Sequence, residues 1–158
     1  MRLAVVLLSM AALTGCTSIS TPPTAPSLPS FSFSSLRGTP VTVVVLDQRA
    51  GERDIKWKER VESDLRSTLV AAGAQLSPGA PTRFEIRLLR ARSDAEAGQW
   101  KGCVELTGRV VGPRNAEATG DACVAKANLW GIATADNVLR LAYEDALIRL
   151  LSALDAHL

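Results

Sequence analysis

The sequence almost lacks histidine, and its one histidine is the penultimate residue, His157. Ser-His-Asp and Cys-His catalysis both need an imidazole, and zinc sites commonly combine histidine with cysteine. A histidine beside a fraying terminus suits neither role. Glycine-rich phosphate loops of the G-x-x-x-x-G-K-[ST] type are absent as well. We therefore expect no enzymatic activity, no metal site and no resident cofactor.

A strong charge of either sign is also missing. The 158 residues carry 18 Lys and Arg against 16 Asp and Glu, a formal net charge of +2. Nucleic-acid-binding domains have a strongly basic face, so this balance gives no reason to expect nucleic acid as a partner. The adjacent carboxylates Glu52 with Asp54 and Glu144 with Asp145 are predicted to be solvated rather than catalytic.

No apolar run is long enough to cross a bilayer. The most apolar stretch extends from Leu3 to Leu13, well short of the about 20 residues that a spanning helix needs. It follows Arg2 and leads to small residues and Cys16. A basic start, a short apolar segment and small residues before a cleavage point are typical of a secretory signal peptide. We predict such a signal over residues 1–15.

The residues at the end of this signal, Leu13-Thr14-Gly15-Cys16, resemble the bacterial lipobox. The resemblance implies that Cys16 is acylated on sulfur and becomes the first residue of the mature protein. Its covalent lipid would then be the membrane anchor. A secretory signal cleaved without lipidation is the alternative, but it would not require cysteine at this position. Residue 17 is Thr rather than Asp, which by the sorting pattern of Gram-negative lipoproteins implies the outer membrane, with the domain facing the periplasm.

Residues 16–39 are rich in Ser, Thr and Pro. Such a composition buries too little apolar area to offset the entropy of ordering the chain. It predicts an extended or disordered tether that lets the folded domain stand off the bilayer. Phe31, Phe33 and Leu36 break the pattern, and contact of these side chains with the membrane surface or the domain edge is the alternative.

Residues 40–158 are predicted to form one α+β domain. The β-branched run Val41–Leu46 indicates a strand in the sheet interior. Apolar residues at helical spacing over 55–72 predict an amphipathic helix, with Asp54 as its N-cap and Gly73 just past its end.

Three more strands and a second helix complete this domain. The strands are predicted over residues 83–90, 99–111 and 118–127, and the helix over 136–154. The order is therefore β-α-β-β-β-α. We predict two helices packed on one face of a four-stranded mixed sheet.

Two cysteines lie in the predicted hairpin. Cys103 and Cys123 are equidistant from Pro113, where Gly112-Pro113-Arg114-Asn115 signals a turn. Directly opposed residues on one sheet face have Cβ atoms about 4.5–5.5 Å apart, close enough for a disulfide, and export permits oxidation. We predict the disulfide, with two free thiols or a shifted register as the alternative.

The most distinctive polar cluster is Asp47-Gln48-Arg49, where the first strand leaves the sheet. Ligand sites are often built at this end of a parallel strand. The alternative is structural, with Asp47 capping the loop and Arg49 pairing with a helix carboxylate. Trp100 and Trp130 are candidate binding aromatics, although either could instead lie at the edge of the core.

Beyond the lipobox, the layout resembles the YajG-like bacterial lipoproteins. The matching residues are Cys16, Val43–Arg49, Leu65–Gly73 and Ala133–Leu151. A looser resemblance is to LptE-like envelope-assembly lipoproteins, which also fold as helices over a small sheet. The resemblance implies an envelope lipoprotein and no established activity. From the anchor, the tether, the compact domain and the lack of catalytic residues, we expect a periplasmic, outer-membrane-anchored, non-enzymatic binding or assembly module for an envelope component. A module that binds a glycan or lipid, such as peptidoglycan or lipopolysaccharide, is the alternative function.

Overall fold

The computed structural model describes residues 18–19, 21–23, 26–50, 55–128 and 133–158. The predicted sites Cys16, Asp54 and Trp130 lie outside these ranges. The described elements are, in chain order, β1 (Ser18–Ile19), β2 (Pro40–Asp47), α1 (Ile55–Ala71), β3 (Gln75–Leu76), β4 (Thr82–Glu96), β5 (Gln99–Val111), β6 (Ala116–Ala127) and α2 (Ala135–His157). A 3-10 turn, Ser34–Leu36, precedes β2. The predicted α+β class is confirmed.

The sheet is mixed, as predicted, with the order β3-β2-β4-β5-β6. Strand β2 runs parallel to both β3 and β4, and β4, β5 and β6 form an antiparallel meander. The main path therefore has five strands rather than the predicted four. In addition, β1 pairs antiparallel with β4 at Ser93 and Asp94. The prediction missed β1 and β3 because two-residue strands are too short to show an alternating pattern.

Both helices cover the same face of the sheet. On that face Val43, Phe84, Val110 and Ala116 are aligned across four strands and all are buried. The α1 stripe is fully buried at Trp57, Val61, Leu65 and Leu69. Ten residues of α2 are also buried, at the spacing that packs a helix on a sheet: Ala135, Val138, Leu139, Ala142, Tyr143, Ala146, Leu147, Leu150, Leu151 and Leu154. The predicted helix-on-sheet layout is thus confirmed.

Helix α1 ends as its sequence predicts. Gly73 has φ +89°, a left-handed conformation that glycine adopts without a steric penalty. Its N–H donates to the carbonyl of Val70 at 2.9 Å, and the N–H of Ala74 donates to the carbonyl of Leu69 at 3.0 Å. These two bonds form a Schellman motif, which satisfies carbonyls that the helix end would leave unpaired.

Helix α2 approaches the sheet closely at two glycines. A Cβ atom on Gly120 would collide with the backbone carbonyl oxygen of Ala146, and one on Gly102 would lie 2.7 Å from the carbonyl carbon of Val138. Real Cβ atoms essentially never approach so closely. The absence of side chains at these two positions therefore allows α2 to lie directly on β5 and β6.

Strand β4 is longer than predicted, because it continues to Glu96 rather than ending at Arg90. The register shifts between Leu88 and Arg90, so Leu89 is the extra residue of a β-bulge. A bulge interrupts the alternation of side chains, and the sequence pattern stops at the same point. Beyond the bulge β4 pairs with β5 up to the turn at Ala97 and Gly98.

The described part of residues 21–36, called here the N-terminal strap, lies on the domain. The backbone N–H of Ser27 donates to Glu144 at 3.3 Å, and that of Ser32 donates to Asp155 at 3.2 Å. The strap therefore follows α2 toward its C-terminal end. It is extended, as the composition predicts, but its packing differs from the tether that would hold the domain away from a membrane.

Phe33 fixes the far end of the strap. Its side chain is fully buried, and its ring meets that of Phe84 edge-on at a centroid distance of 5.8 Å. Leu36 is buried beside it. Phe33 has φ +35°, a conformation rare outside glycine, so the burial of its ring outweighs a local backbone strain. These two side chains, with Leu28 and Phe31 partly buried against the core, bring this polar segment onto the domain.

Candidate functional site: the open face of the sheet

The predicted Asp47–Arg49 corner is largely structural. Arg49 is only 5% exposed, and its Nε and Nη2 donate to the two carboxylate oxygens of Asp47 at 2.9 and 2.7 Å. Its guanidinium carbon also lies 5.6 Å from the ring centroid of Trp57. Arg49 therefore pairs with the strand carboxylate Asp47 rather than presenting its charge at a cleft. Gln48 is the exposed member of the cluster.

The structure does not bring Trp100 to this corner. Trp100 is partly exposed and pairs with Ala95, close to the turn between β4 and β5. The corner lies where Asp47 pairs with Leu88, about 20 Å away along β4 at the usual rise of a strand. Trp130 lies outside the described residues. Trp100 and the Asp47–Arg49 corner therefore do not share one site, and a role for Trp130 stays a prediction.

The face of the sheet opposite the helices is uncovered in the described part of the chain. Thr42, Arg83 and Val111 share one row across it, and Leu46, Arg87 and Thr107 share another. Since α1 and α2 both pack on the other side, this face, called here the open face, is a broad surface of regular structure that no described element covers. The outward alternation of Arg83, Glu85 and Arg87 in the sequence is the signal that predicts it.

Arginines on β4 dominate one side of the open face. Glu85 is bracketed by Arg83 at 3.3 Å and by Arg87 at 2.8 Å. The carboxylate of Glu105 lies 3.7 Å from Arg90. These guanidinium groups are about half exposed, so the pairs fix their positions while leaving their outer edges accessible.

The charges on the open face are balanced, and the arginines of β4 are paired with carboxylates. Six basic and six acidic side chains face outward from β4, β5 and β6: Arg83, Arg87, Arg90, Arg92, Lys101, Arg109, Glu85, Asp94, Glu96, Glu105, Glu117 and Asp121. Four of the six bases are arginines of β4, whereas β6 contributes only carboxylates. Counting both signs, the outward side chains of β4 sum to +1 and those of β6 to −2, so the face carries mixed, largely paired charges that suit a polar partner.

The predicted disulfide is present and also lies on the open face. Cys103 and Cys123 are directly opposed across β5 and β6 and are bonded, with their Cα atoms 4.2 Å apart. The sequence separation is 20 residues. The bond fixes the register of these two strands, and therefore fixes the arrangement of the charges around it.

A polar bridge joins the two helices on the other face. The hydroxyl of Tyr143 on α2 donates to Asp64 of α1 at 2.9 Å, and Arg60 lies 3.7 Å from the same carboxylate. Burial raises the pKa of Tyr143 well above 10, and the charge of Asp64 raises it further. Burial also raises the pKa of Asp64, against the opposing effects of Tyr143 and Arg60. The bridge holds α1 against α2 and offers no acid–base group near a cleft.

A cavity of about 410 Å³ lies at the end of the sheet near the β5–β6 turn. Its lining is partly apolar and partly hydroxylic: Ser34, Ser35, Leu36, Thr39, Thr82, Val110, Pro113, Arg114 and Leu158. Arg114 donates to the backbone carbonyl of Leu158 at 2.7 Å, while the hydroxyl of Ser35 is buried without a partner. Sequence reasoning missed this cavity because its residues come from four distant segments.

The described residues contain no cluster of three or more His, Cys, Asp or Glu side chains arranged to hold a metal ion. Neither helix in these ranges combines the length and the apolar character that a membrane crossing requires.

No protein-family model and no curated protein matches the sequence. Solved structures do share the fold. Protein XCC0632 from Xanthomonas campestris, of family DUF330, superposes with a TM-score of 0.51 at 15% identity, over 89% of this chain and 90% of that one.

Two further structures give similar values. A minor lipoprotein from Acinetobacter baumannii has a TM-score of 0.50 and 16% identity, over 77% of this chain and 93% of its own. The hypothetical protein CT253 from Chlamydia trachomatis has a TM-score of 0.50 and 8% identity, over 77% and 97%. At these identities the likeness shows a common fold.

Proposed function

We propose that this chain is a periplasmic lipoprotein, anchored in the outer membrane through Cys16, whose domain is a non-enzymatic binding or assembly module for another envelope component. The lipobox-like residues Leu13–Cys16 support the anchor. The fold supports it as well, since the Acinetobacter baumannii structure of the same fold is described as a minor lipoprotein.

The open face is the observation that carries the binding role. It is broad, regular and charged, and of the two exposed large hydrophobic side chains in the described residues, Leu46 lies on this face and Val70 lies on α1. An apolar ligand would find few apolar side chains to contact there. The arginines and carboxylates of this face instead suit a folded polar partner. We therefore assign the partner as an envelope protein and the open face as its docking surface.

Site-specific photocrosslinking in whole cells tests this assignment. A photoreactive residue at Arg90 or Thr119, on the open face, should yield one dominant adduct. The same residue at Arg66 or Arg149, both exposed on the helices, is the matched control and should yield none. Adducts from the helix positions alone, or none from either face, would contradict the docking surface.

The anchor is tested separately by Cys16→Ser. The variant should lose the lipid and leave the membrane fraction, while the wild-type chain stays in it and gains the mass of its acyl groups. A wild-type protein recovered without lipid would contradict the anchor.

The cavity supports a second function, the binding of a glycan or lipid. Its volume of about 410 Å³ lies within the range of small-ligand sites, and the unpaired hydroxyl of Ser35 could bind a polar group. Retention on peptidoglycan or lipopolysaccharide that is lost on filling the cavity by Ser34→Trp would favour this function. Equal retention of the two proteins would exclude the cavity as the site.

A further inference from the structure

We propose that the end of the sheet formed by the β4–β5 turn rests on the lipid surface, with Trp100 at the level of the headgroups. The proposal rests on the anchoring of Cys16 in the proposed function. It adds an orientation for the domain and a second, non-covalent contact with the membrane.

The first argument is the position of β1. Ser18 pairs with Asp94 and Ile19 with Ser93, near the end of β4 that leads into the turn. Because β1 runs antiparallel to β4, its N-terminal end at Ser18 is the end nearer to this turn. Two residues span at most about 7 Å, so an acylated Cys16 cannot lie far from it. The lipid must therefore enter the bilayer beside the β4–β5 turn.

The second argument is that the N-terminal strap is packed on the domain and does not act as a free tether. A free segment of this length would let the domain move well away from the bilayer. Instead the strap is bonded to Glu144 and Asp155 of α2 and ends at the buried Phe33. The strap thus leads away from the turn along the whole domain, and the cavity lined by Arg114 lies at the end remote from the lipid.

The third argument is the composition of the turn itself. Exposed small residues surround a shallow depression of about 200 Å³, lined by Ala95, Glu96, Ala97, Gly98, Gln99, Trp100 and Asn128. Tryptophan is enriched where the apolar core of a membrane meets its headgroups. Trp100 is partly exposed here, and the neighbouring Lys101 and Lys126 are exposed.

The acidic groups at this end of the sheet limit how much electrostatic attraction can contribute to the contact with lipid. Asp94 is opposite Lys101 across β4 and β5 and is paired with Arg92 at 3.2 Å, and Glu96 is exposed beside the turn. The contact with lipid is therefore carried by the tryptophan and the small apolar residues, not by attraction to anionic headgroups. It should consequently be insensitive to salt, since screening acts on exposed charges.

Quenching of tryptophan fluorescence by brominated phospholipids tests the proposal. The lipidated full-length protein, in a Trp130→Phe background, is reconstituted into phosphatidylethanolamine–phosphatidylglycerol vesicles with and without bromine in the acyl chains. This background retains Trp100 and Trp57, and Trp57 is fully buried and serves as the internal reference. We expect the bromine to remove most of the Trp100 emission, at low and at high salt alike.

A matched control moves the indole to the remote end. Trp100→Phe combined with Glu117→Trp places the probe at an exposed position of β6, about 30 Å along the strand from Lys126. This protein should show no quenching. Equal quenching of both probes, or none of either while the protein floats with the vesicles, overturns the orientation but leaves the anchor intact. A protein that fails to float with the vesicles overturns the anchor, and with it the basis of the proposal.

Discussion

The N-terminal strap and helix α2 lie side by side on the domain but are held by different means. Helix α2 is held by a periodic stripe of ten buried residues and by direct contact of its backbone with β6 at Gly120. The strap has two fully packed core side chains, Phe33 and Leu36, with Pro23 buried, Leu28 and Phe31 partly buried, and a few exposed hydrogen bonds. A regular element thus buries a periodic stripe, whereas an irregular segment is held by a few apolar side chains without a repeating pattern.

The largest expected effect concerns the strap. Phe33→Ala removes a fully buried ring and should lower the free energy of unfolding by about 3–5 kcal/mol, measured by urea denaturation. The control is Phe31→Ala, because Phe31 is only partly buried and its loss should cost less. Equal costs for the two variants would show that the burial of Phe33 is not what holds the strap on the domain.

The corresponding change on the helix side is Gly120→Ala. The added methyl group meets the backbone of α2 rather than a flexible side chain, so the helix must move. We expect a loss of about 3 kcal/mol in thermal or urea unfolding. Thr119→Ala, one residue away and exposed, should be nearly neutral. If Gly120→Ala is also neutral, α2 does not touch β6 as closely as described.

Removal of the disulfide measures how much the covalent link between β5 and β6 stabilises the domain, for comparison with the strap and with α2. Cys103→Ala with Cys123→Ala frees a loop of about 20 residues in the unfolded chain and should cost about 2–3 kcal/mol. Mass spectrometry with and without reductant confirms the bond in the parent protein. Two freely alkylated thiols without reduction would refute it.

A smaller effect is expected at the polar bridge between the helices. Tyr143→Phe removes the hydrogen bond to Asp64 and should cost about 1–2 kcal/mol at neutral pH. Since the pKa of Tyr143 is raised on folding, its contribution is complete below the unfolded value near 10 and is lost as the pH rises above it. The stability of the wild-type protein should therefore fall more steeply above pH 10 than that of Tyr143→Phe. Parallel curves would contradict the burial of this hydroxyl.

The smallest effect returns to the strap. Asp155→Asn weakens exposed hydrogen bonds from Ser32 and should cost about 0.5 kcal/mol or less. A cost approaching that of Phe33→Ala would reverse the comparison, because the polar contacts would then hold the strap.

What the sequence predicts depends on how regular the pattern is. The stripes of α1 and α2, the alternation in β5 and β6 and the symmetric placement of Cys103 and Cys123 about Pro113 predict the helix-covered sheet and its register. Repeated patterns can be recognised in a sequence because many residues of one element follow the same periodicity.

The rest depends on single residues or on contacts between distant segments. In the sequence, nothing around Phe33 distinguishes a buried anchor from an incidental aromatic residue. The bulge at Leu89 interrupts the alternating pattern, so the pattern does not predict the second half of β4. The Asp47–Arg49 cluster predicts a site by its position at a strand end, but the burial of Arg49 over Trp57 becomes visible only once α1 is packed. The alternation in β4 predicts that one face of that strand is solvent-exposed, but the arrangement of charges across the open face emerges only when three strands are set in register.

The most direct test of the central claim, that the N-terminal strap is packed on the domain, is a nuclear Overhauser measurement between the aromatic protons of Phe33 and Phe84 in the folded protein. Their ring centroids lie 5.8 Å apart in an edge-on arrangement, so we expect strong cross-peaks and ring-current-shifted resonances for Phe33. Random-coil shifts for Phe33 with no cross-peak to Phe84 would contradict the account, and would return residues 16–39 to the role of a free tether.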